Sequence, residues 1–312
     1  MELRALGFGE IFDRAITLYV RNFAPFFAIV LTLVVPYAIV QFALESGQRG
    51  QLDAMMQAIA HPDRVPPMQS LMASPQQIIA ALVVVAIFAA LWPFAMAAVA
   101  VGVARLYRGL PVRFGDCYAA VLPRWPAMLL ALLIEGAIVV AWYVVVVVLL
   151  GATVLVAALF VRLWLPLGAL AFVVAAAVAI ALFATLAPLS VAFMFAMNAI
   201  VIEQRSAPNA IASAFGRIFT RTEFWRAVLI WIAMFAMLFG VTMFVGIVEW
   251  VAMFAHASAL AIVADALLRA AFTPFMIVLF SVYYFDVRIR REGFDLQTEL
   301  EALGTPVAAS PA

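Results

Sequence analysis

The stretch EQRSAPNAIASAFGRIFTRTEFWR (residues 203–226) interrupts an otherwise apolar sequence that runs from residue 127 to residue 285. It carries four arginines, and its apolar residues recur at the spacing of an amphipathic helix. A polar break with clustered arginines is typical of a cytoplasmic segment between membrane spans. The stretch therefore predicts an all-α, polytopic membrane protein whose orientation is set by short arginine-rich segments.

The composition excludes a water-soluble globule. Of the 312 residues, 68% are hydrophobic and 11% are charged, against about 45–50% and about 25% in soluble domains. Cys117 is the single cysteine, so we predict no intrachain disulfide and no cysteine-based metal site. The first 23 residues mix acidic and basic residues and lack an apolar core, so we predict no signal peptide.

Six apolar runs are long enough to cross a hydrocarbon layer of about 30 Å. Their predicted bounds are 24–44, 77–104, 127–150, 167–201, 225–248 and 259–285. The zone 127–201 is too long for two ordinary spans, and Pro166 interrupts it. Two long helices, or two spans with an interfacial segment at 151–165, both fit. We predict one membrane domain, 1–298, followed by a disordered tail, 299–312.

Arginine placement predicts the orientation of these spans. Fourteen of the eighteen arginines fall on one side of the six-span arrangement. Arg49, Arg64 and Arg162 fall on the other side, and Arg269 lies within a span. Because basic residues concentrate in cytoplasmic segments, both termini are predicted to be cytoplasmic.

The sequence also indicates a threefold internal repeat. Arg21, Arg124 and Arg221 each follow an amphipathic segment and precede a span, at separations of 103 and 97 residues. A proline lies in each even-numbered span, and these are Pro93, Pro188 and Pro274. We therefore predict three two-span units, each led by a cytoplasmic amphipathic helix, at 8–23, 113–125 and 203–226.

The first amphipathic segment illustrates two ways in which such a helix can lie. Its apolar face consists of Ile11, Phe12, Ala15, Leu18 and Tyr19. Such a helix can lie in the headgroup plane, with its arginines near anionic phosphates. The three helices can instead pack against one another beneath the bundle. The sequence leaves both alternatives open.

Two stretches carry a resemblance to a known family. They are IVIEQRSAPNAIASAFGRIFTRTEFWR (200–226) and YYFDVRIRREGFDLQTEL (283–300). Here the chain resembles the bacterial glycerophosphoryl diester phosphodiesterase membrane-domain family. The matching residues are Glu203, Arg217, Phe224, Trp225, Tyr284, Asp286, Arg288, Arg290, Glu292, Gly293, Asp295 and Leu296. The family usually has an arginine pair where this chain has Gly216-Arg217.

The resemblance implies a membrane domain of the bacterial cytoplasmic membrane that has no agreed activity of its own. The phosphodiesterase that gives the family its name is a separate soluble domain with metal-binding carboxylates and paired histidines. This chain has only two histidines, His61 and His256, far apart in the sequence. We therefore do not expect phosphodiesterase activity.

Apart from Arg226 at the edge of the fifth span, three charged residues fall within predicted spans, and a charge at a span centre costs about 2.5–3.5 kcal/mol. Asp265 and Arg269 lie one helical turn apart in the sixth span, and Glu135 lies in the third. One interpretation is a polar path or substrate site. The other is that Asp265 and Arg269 neutralise each other while Glu135 reaches the headgroups.

We expect an integral membrane protein without catalytic residues, metal or cofactor. An arginine and aromatic collar would bind anionic phospholipid headgroups, or a cytosolic or membrane protein partner, and no nucleic acid is expected. The collar residues are Arg21, Arg124, Arg217, Arg221, Trp225, Arg288 and Arg290. The alternative is a small transporter or permease with its polar site at Asp265 and Arg269.

Overall fold

The structure, a computed structural model, describes residues 4–40, 75–163, 165–254 and 258–293. These residues contain nine α-helices, one 3₁₀ turn (Leu122–Arg124) and no strand. The helices are α1 (Phe8–Arg21), α2 (Phe23–Val40), α3 (Pro75–Tyr107), α4 (Phe114–Val121), α5 (Trp125–Leu163), α6 (Leu165–Ile202), α7 (Ala207–Ile218), α8 (Arg221–Phe254) and α9 (Ser258–Glu292).

The prediction of six spans is confirmed. Helices α2, α3, α5, α6, α8 and α9 are each long and apolar enough to cross a membrane. Nearly all of the first predicted loop, residues 45–74, and the predicted tail lie outside the described residues. The chain is thus an all-α, multi-pass membrane protein.

The described residues of the ambiguous zone 127–201 fold as two long helices, and residues 151–163 belong to the first of them. Helix α5 has 39 residues, which corresponds to about 58 Å at 1.5 Å per residue. The helix therefore continues past residue 150, the predicted end of the third span. Pro166 does not break a helix, because it lies in the first turn of α6, where a proline is tolerated.

The turn between α5 and α6 depends on a close approach of Gly168 to Val161. A Cβ atom on Gly168 would lie 2.6 Å from the Cα atom of Val161. Contacts this short with backbone atoms are not tolerated without movement of the chain. Glycine is therefore required here because the two helices begin to pair immediately at the turn.

We predict that Gly168→Ala destabilises the hairpin by about 1–3 kcal/mol, the usual cost of overpacking. The measurement is the thermal unfolding of the purified protein in detergent. Gly151→Ala in α5 is the matched control, because nothing lies within 4 Å of its added Cβ. Equal melting temperatures for the two variants would contradict the close approach.

The predicted threefold order of elements is present. A short helix followed by two long helices occurs as α1–α2–α3, α4–α5–α6 and α7–α8–α9. Each proline lies inside the second long helix of its unit. These three second helices contact one another and form the centre of the bundle. Alanines such as Ala97 and Ala196 are fully buried there, and such small side chains let membrane helices approach closely.

Each short helix folds back along the second long helix of the preceding unit. Helix α4 packs against α3, α7 packs against α6, and α1 closes the ring by packing against α9. Helix α1 is antiparallel to α9, because Leu6 contacts Asp286 whereas Tyr19 donates a hydrogen bond to the carbonyl of Ala271. The arrangement of the units is therefore cyclic.

The apolar face of α1 consequently packs against protein. Ile11, Ala15 and Leu18 are buried, and burial raises the pKa of Tyr19 to about 12. Glu10 caps the start of the helix by accepting a 2.7 Å hydrogen bond from the backbone N–H of Gly7. The hypothesis that this face rests on lipid is wrong, and so is packing of the short helices on one another. Instead, α1 packs antiparallel to α9, which is one of the six spans.

Most fully buried residues lie at one end of the bundle. We call this the arginine-rich end; it contains the end of α3, the start of α5, the end of α6, the start of α8 and the end of α9. Burial is dense in 95–104, 187–200 and 275–289, which are the segments between each proline and this end. Described side chains in 78–90 are mostly exposed. The helices are thus tightly packed on one side of the prolines and loosely packed on the other.

Candidate functional site

Several residues that carry the family resemblance form one buried network at the arginine-rich end. Glu203, just after α6, lies 2.8 Å from the Nη1 atom of Arg217 and accepts a hydrogen bond from the hydroxyl of Tyr284. Arg217 also contacts Glu292 at 2.7 Å, and Arg288 contacts Glu292 at 3.0 Å. This network joins the end of α6, the end of α7 and the end of α9.

The network is largely neutralised from within. Arg217 is only 5% exposed, and its guanidinium carbon lies 5.4 Å from the centre of the Tyr284 ring. Burial by itself would raise the pKa of Glu203. The hydrogen bonds from Arg217 and Tyr284, together with the charges of Arg217 and Arg288, outweigh burial and hold the pKa of Glu203 below its ordinary value. Glu203 is therefore ionised at neutral pH.

A second network centres on Asp286, whose side chain is completely buried. Its Oδ1 atom accepts a 2.6 Å hydrogen bond from the backbone N–H of Leu6. Its Oδ2 atom lies 2.7 Å from Arg226 and 3.0 Å from Arg290. Arg290 in turn donates to the carbonyl of Leu6. Asp286 thereby joins the start of the chain, α8 and α9 at one point.

Glu223 extends this second network to Tyr283. Its carboxylate lies 3.0 Å from Arg226 and accepts a 3.0 Å hydrogen bond from the hydroxyl of Tyr283. The Tyr283 ring packs edge-on against Phe195 in α6. Tyr283 and Tyr284 are neighbours in sequence, and helical rotation directs each ring to a different network.

The predicted collar residues thus fall into two groups. Arg217 and Arg288 belong to the Glu203 network, and Arg290 belongs to the Asp286 network. The other four lie at or near the surface, and they are Arg21, Arg124, Arg221 and Trp225. Of the remaining family-matched residues, Gly293 has φ 60° directly after α9, as glycine commonly does at a helix end. Asp295 lies outside the described residues.

A cleft of about 240 Å³ opens at the arginine-rich end, between α3 and the start of α5. Its polar walls are Arg105, Arg108, Arg124 and Gln204. Arg105 is held in place by Asp116 at 2.7 Å and by the carbonyl of Pro111 at 3.0 Å. We call this feature the arginine cleft.

Arg108 and Arg124 differ from the arginines of the buried networks. Within the described residues, neither has an ion-pair partner or a side-chain hydrogen bond. Arg108 is exposed and Arg124 is half-buried at the start of α5. Guanidinium groups match the geometry of phosphate oxygens. The arginine cleft therefore offers two cations to an anionic group from outside the chain.

The intramembrane pair predicted in the sixth span is present. The Nε atom of Arg269 lies 2.7 and 2.8 Å from the two carboxylate oxygens of Asp265. Asp265 is 4% exposed, whereas the side chain of Arg269 is 47% exposed. Arg269 also lines a cavity of about 640 Å³ between α2, α3, α8 and α9.

Glu135 does not join this pair and does not reach the headgroups. It is 7% exposed and lines a different cavity. The sequence-based alternative that Glu135 extends to the headgroups is therefore wrong. The structure places the three intramembrane charged residues in two separate places.

Sequence reasoning missed most of the arginine cleft and half of the second network. Arg105, Arg108 and Gln204 were not predicted to act together, and neither were Glu223 and Tyr283. Arg105 and Arg108 are one helical turn apart at the end of a span, which is a local signal. The approach of Gln204 to them is a long-range contact that no local pattern records.

Comparison with protein-family models, curated proteins and solved structures finds no match to this chain. The resemblance drawn from residues 200–226 and 283–300 therefore remains a prediction.

We predict that Asp286→Asn lowers the stability of the protein by about 3–5 kcal/mol. The physical reason is that removing one partner of a buried ion pair leaves the other charge uncompensated. The measurement is thermal unfolding in detergent. Asp116→Asn is the matched control, because its ion pair with Arg105 is exposed and such pairs contribute about 0–1 kcal/mol. Similar losses of stability in both variants would refute the role of Asp286 in joining the start of the chain to α8 and α9.

Proposed function

We propose that this chain is an integral membrane domain without enzymatic activity that binds an anionic phospholipid headgroup in the arginine cleft. The observation that carries the proposal is the pair Arg108 and Arg124, which have no partner within the described residues and share a cleft with Arg105. The proposal places the protein in a bacterial cytoplasmic membrane with both termini in the cytoplasm.

The position of the cleft supports a lipid as the source of the anion. Leu122 and Trp125 flank Arg124 and are 64% and 48% exposed. On the next turns of α5, Leu130 and Leu133 are 47% and 70% exposed. These exposed apolar side chains on the first turns of α5 can contact acyl chains, so the start of α5, where Arg124 lies, is suited to a lipid environment. Tryptophan at this level is typical of the membrane interface.

Other arginines at this end are already paired within the bundle and so are not available to a headgroup. Arg217, Arg226 and Arg290 form ion pairs with acidic residues, which are Glu203, Glu223, Asp286 and Glu292. They contribute to the architecture of the arginine-rich end. Arg108 and Arg124 have no acidic partner among the described residues. Their positive charges are therefore available to an anionic headgroup.

We predict that the double variant Arg108→Gln, Arg124→Gln loses at least about 90% of the anionic phospholipid that co-purifies with the wild-type protein. Each charge-assisted hydrogen bond contributes about 1.5–3 kcal/mol, and losing two exceeds a tenfold effect. The measurement is quantitative lipid analysis by mass spectrometry after purification from mixed phosphatidylglycerol and phosphatidylcholine nanodiscs.

Arg113→Gln with Arg291→Gln is the charge-matched control, because both arginines are exposed at the same end but belong neither to the cleft nor to the predicted collar. It should retain lipid like the wild type. A second arm adds excess glycerol phosphate, which competes only if the cleft binds a free anion. Equal retention by both double variants would remove the basis of the proposal.

A small transporter is the second candidate function, favoured by the position of Arg269 on the wall of the 640 Å³ cavity. Asp265 anchors the arginine there with both carboxylate oxygens. Intramembrane acidic residues beside a cavity are typical of proton-coupled transport. The pair is equally able to serve as a structural contact, and a double variant separates the two roles.

Under the transport hypothesis, Asp265→Asn combined with Arg269→Gln abolishes proton movement but preserves the melting temperature. Each single variant should lower the melting temperature, because it leaves one charge without its partner. The measurement is the response of a pH-sensitive dye inside proteoliposomes to an imposed gradient. Proton movement that persists in a stable double variant assigns the pair a structural role only.

A further inference from the structure

Glu135 is a buried carboxyl group with an unsatisfied oxygen. It is 7% exposed, and its Oε1 atom is buried without a hydrogen-bond partner among the described residues. Leaving a buried polar atom unpaired costs about 1–3 kcal/mol, and more for a charged group. Other buried carboxylates of the bundle, such as Glu203 and Asp286, have arginine partners. Glu135 therefore needs an explanation that packing does not supply.

The cavity lined by Glu135 has a volume of about 410 Å³. This volume lies within the range of small-molecule sites, about 300–1,000 Å³. Helices α3, α5, α6, α8 and α9 all contribute to it, at the level of Pro93. Among the described residues that line it, Glu135 is the only charged one. Ser190, which also lines it, donates its hydroxyl to the carbonyl of Leu186.

The remaining walls are aromatic rings and thioethers. Trp92 and Trp231 face the cavity from two different helices. Five methionines line it as well, and they are Met96, Met194, Met197, Met234 and Met276. Aromatic faces attract cations through their electron-rich surface. Methionine side chains are polarizable and adapt to occupants of different shape.

This cavity lies beside the one that contains Arg269. The two share Trp92, Leu238 and Met276 as wall residues. Along α8 the walls of the two neighbouring cavities run from Trp231 to Val245, which is about 21 Å at 1.5 Å per residue. Apolar space therefore lies on both sides of this shared wall, beside the carboxyl group of Glu135.

We infer that the Glu135 cavity binds a hydrophobic organic cation, such as a quaternary ammonium or phosphonium compound. The positive centre would lie beside Glu135 and between the rings of Trp92 and Trp231, and the apolar substituents would occupy the methionine-lined space. Burial without a partner disfavours the charged form of a carboxyl group, so a cation would bind with release of the Glu135 proton and would supply the counter-charge. A neutral or anionic occupant would gain no such attraction from Glu135.

This inference is independent of the lipid headgroup proposal. The arginine cleft and the Glu135 cavity have no wall residue in common. One binds an anion at the surface and the other binds a cation inside the bundle. Either can fail while the other stands.

The test is equilibrium binding of radiolabelled tetraphenylphosphonium to the full chain in nanodiscs. We expect saturable binding at one site per chain in the wild type. Glu135→Gln should weaken binding at least tenfold, because the substitution keeps the shape of the side chain and removes its charge. Glu135→Asp should retain part of the affinity. Asp13→Asn is the control that removes a charge elsewhere, since Asp13 is an exposed residue outside the spans.

Tetraphenylborate, which has nearly the same shape and the opposite charge, provides a second measurement that needs no variant. We expect it to bind at least tenfold more weakly than tetraphenylphosphonium to the wild-type protein. Absence of saturable phosphonium binding would overturn the inference. So would equal binding of the two ions, or unchanged binding in a Glu135→Gln protein whose melting temperature matches the wild type.

Discussion

The cyclic arrangement of the three helix pairs depends on one buried carboxylate, Asp286. It is the point where the start of the chain, α8 and α9 meet, through Leu6, Arg226 and Arg290. A carboxylate without exposure to water is tolerable only when several donors satisfy it. Three donors from three segments satisfy Asp286, so the same contacts that make its burial possible also fix α1 against α9. The ring closes at this residue.

The sequence predicts the helical content, the six spans and the order of the three units, because each rests on a local property. Hydropathy over 20 residues identifies a span, and a proline or an arginine marks its position in the unit. The path of α1 could not be predicted in this way. Its partner on α9 is 280 residues away from Leu6, and an amphipathic face does not indicate whether it packs against lipid or protein. Pro166 was misread for a related reason, since a proline ends one helix or begins the next with equal ease.

At the candidate site, too, the sequence could not predict which residues contact each arginine. Arg217 and Arg124 both lie at the arginine-rich end and were predicted to share one role. The structure buries Arg217 between Glu203 and Glu292, whereas Arg124 lies in a cleft without an acidic partner among the described residues. The difference is made by the positions of acidic residues on other helices. Residue type and topology therefore identify the charged end, and only the packing separates structural arginines from those available to a ligand.

The three prolines connect the tight and the loose parts of the bundle. Each lies inside one of the helices that form the centre, and each removes a backbone hydrogen bond from its helix because proline has no N–H. Between the prolines and the arginine-rich end, small side chains let the helices pack closely. At the level of Pro93, bulky tryptophans and methionines surround a cavity instead. Glu135 lies at this boundary, beside the cavity, and its Oε1 atom has no hydrogen-bond partner among the described residues. The cost of burying this carboxyl group therefore falls where the bundle has open space, and the cation that we infer there would offset it.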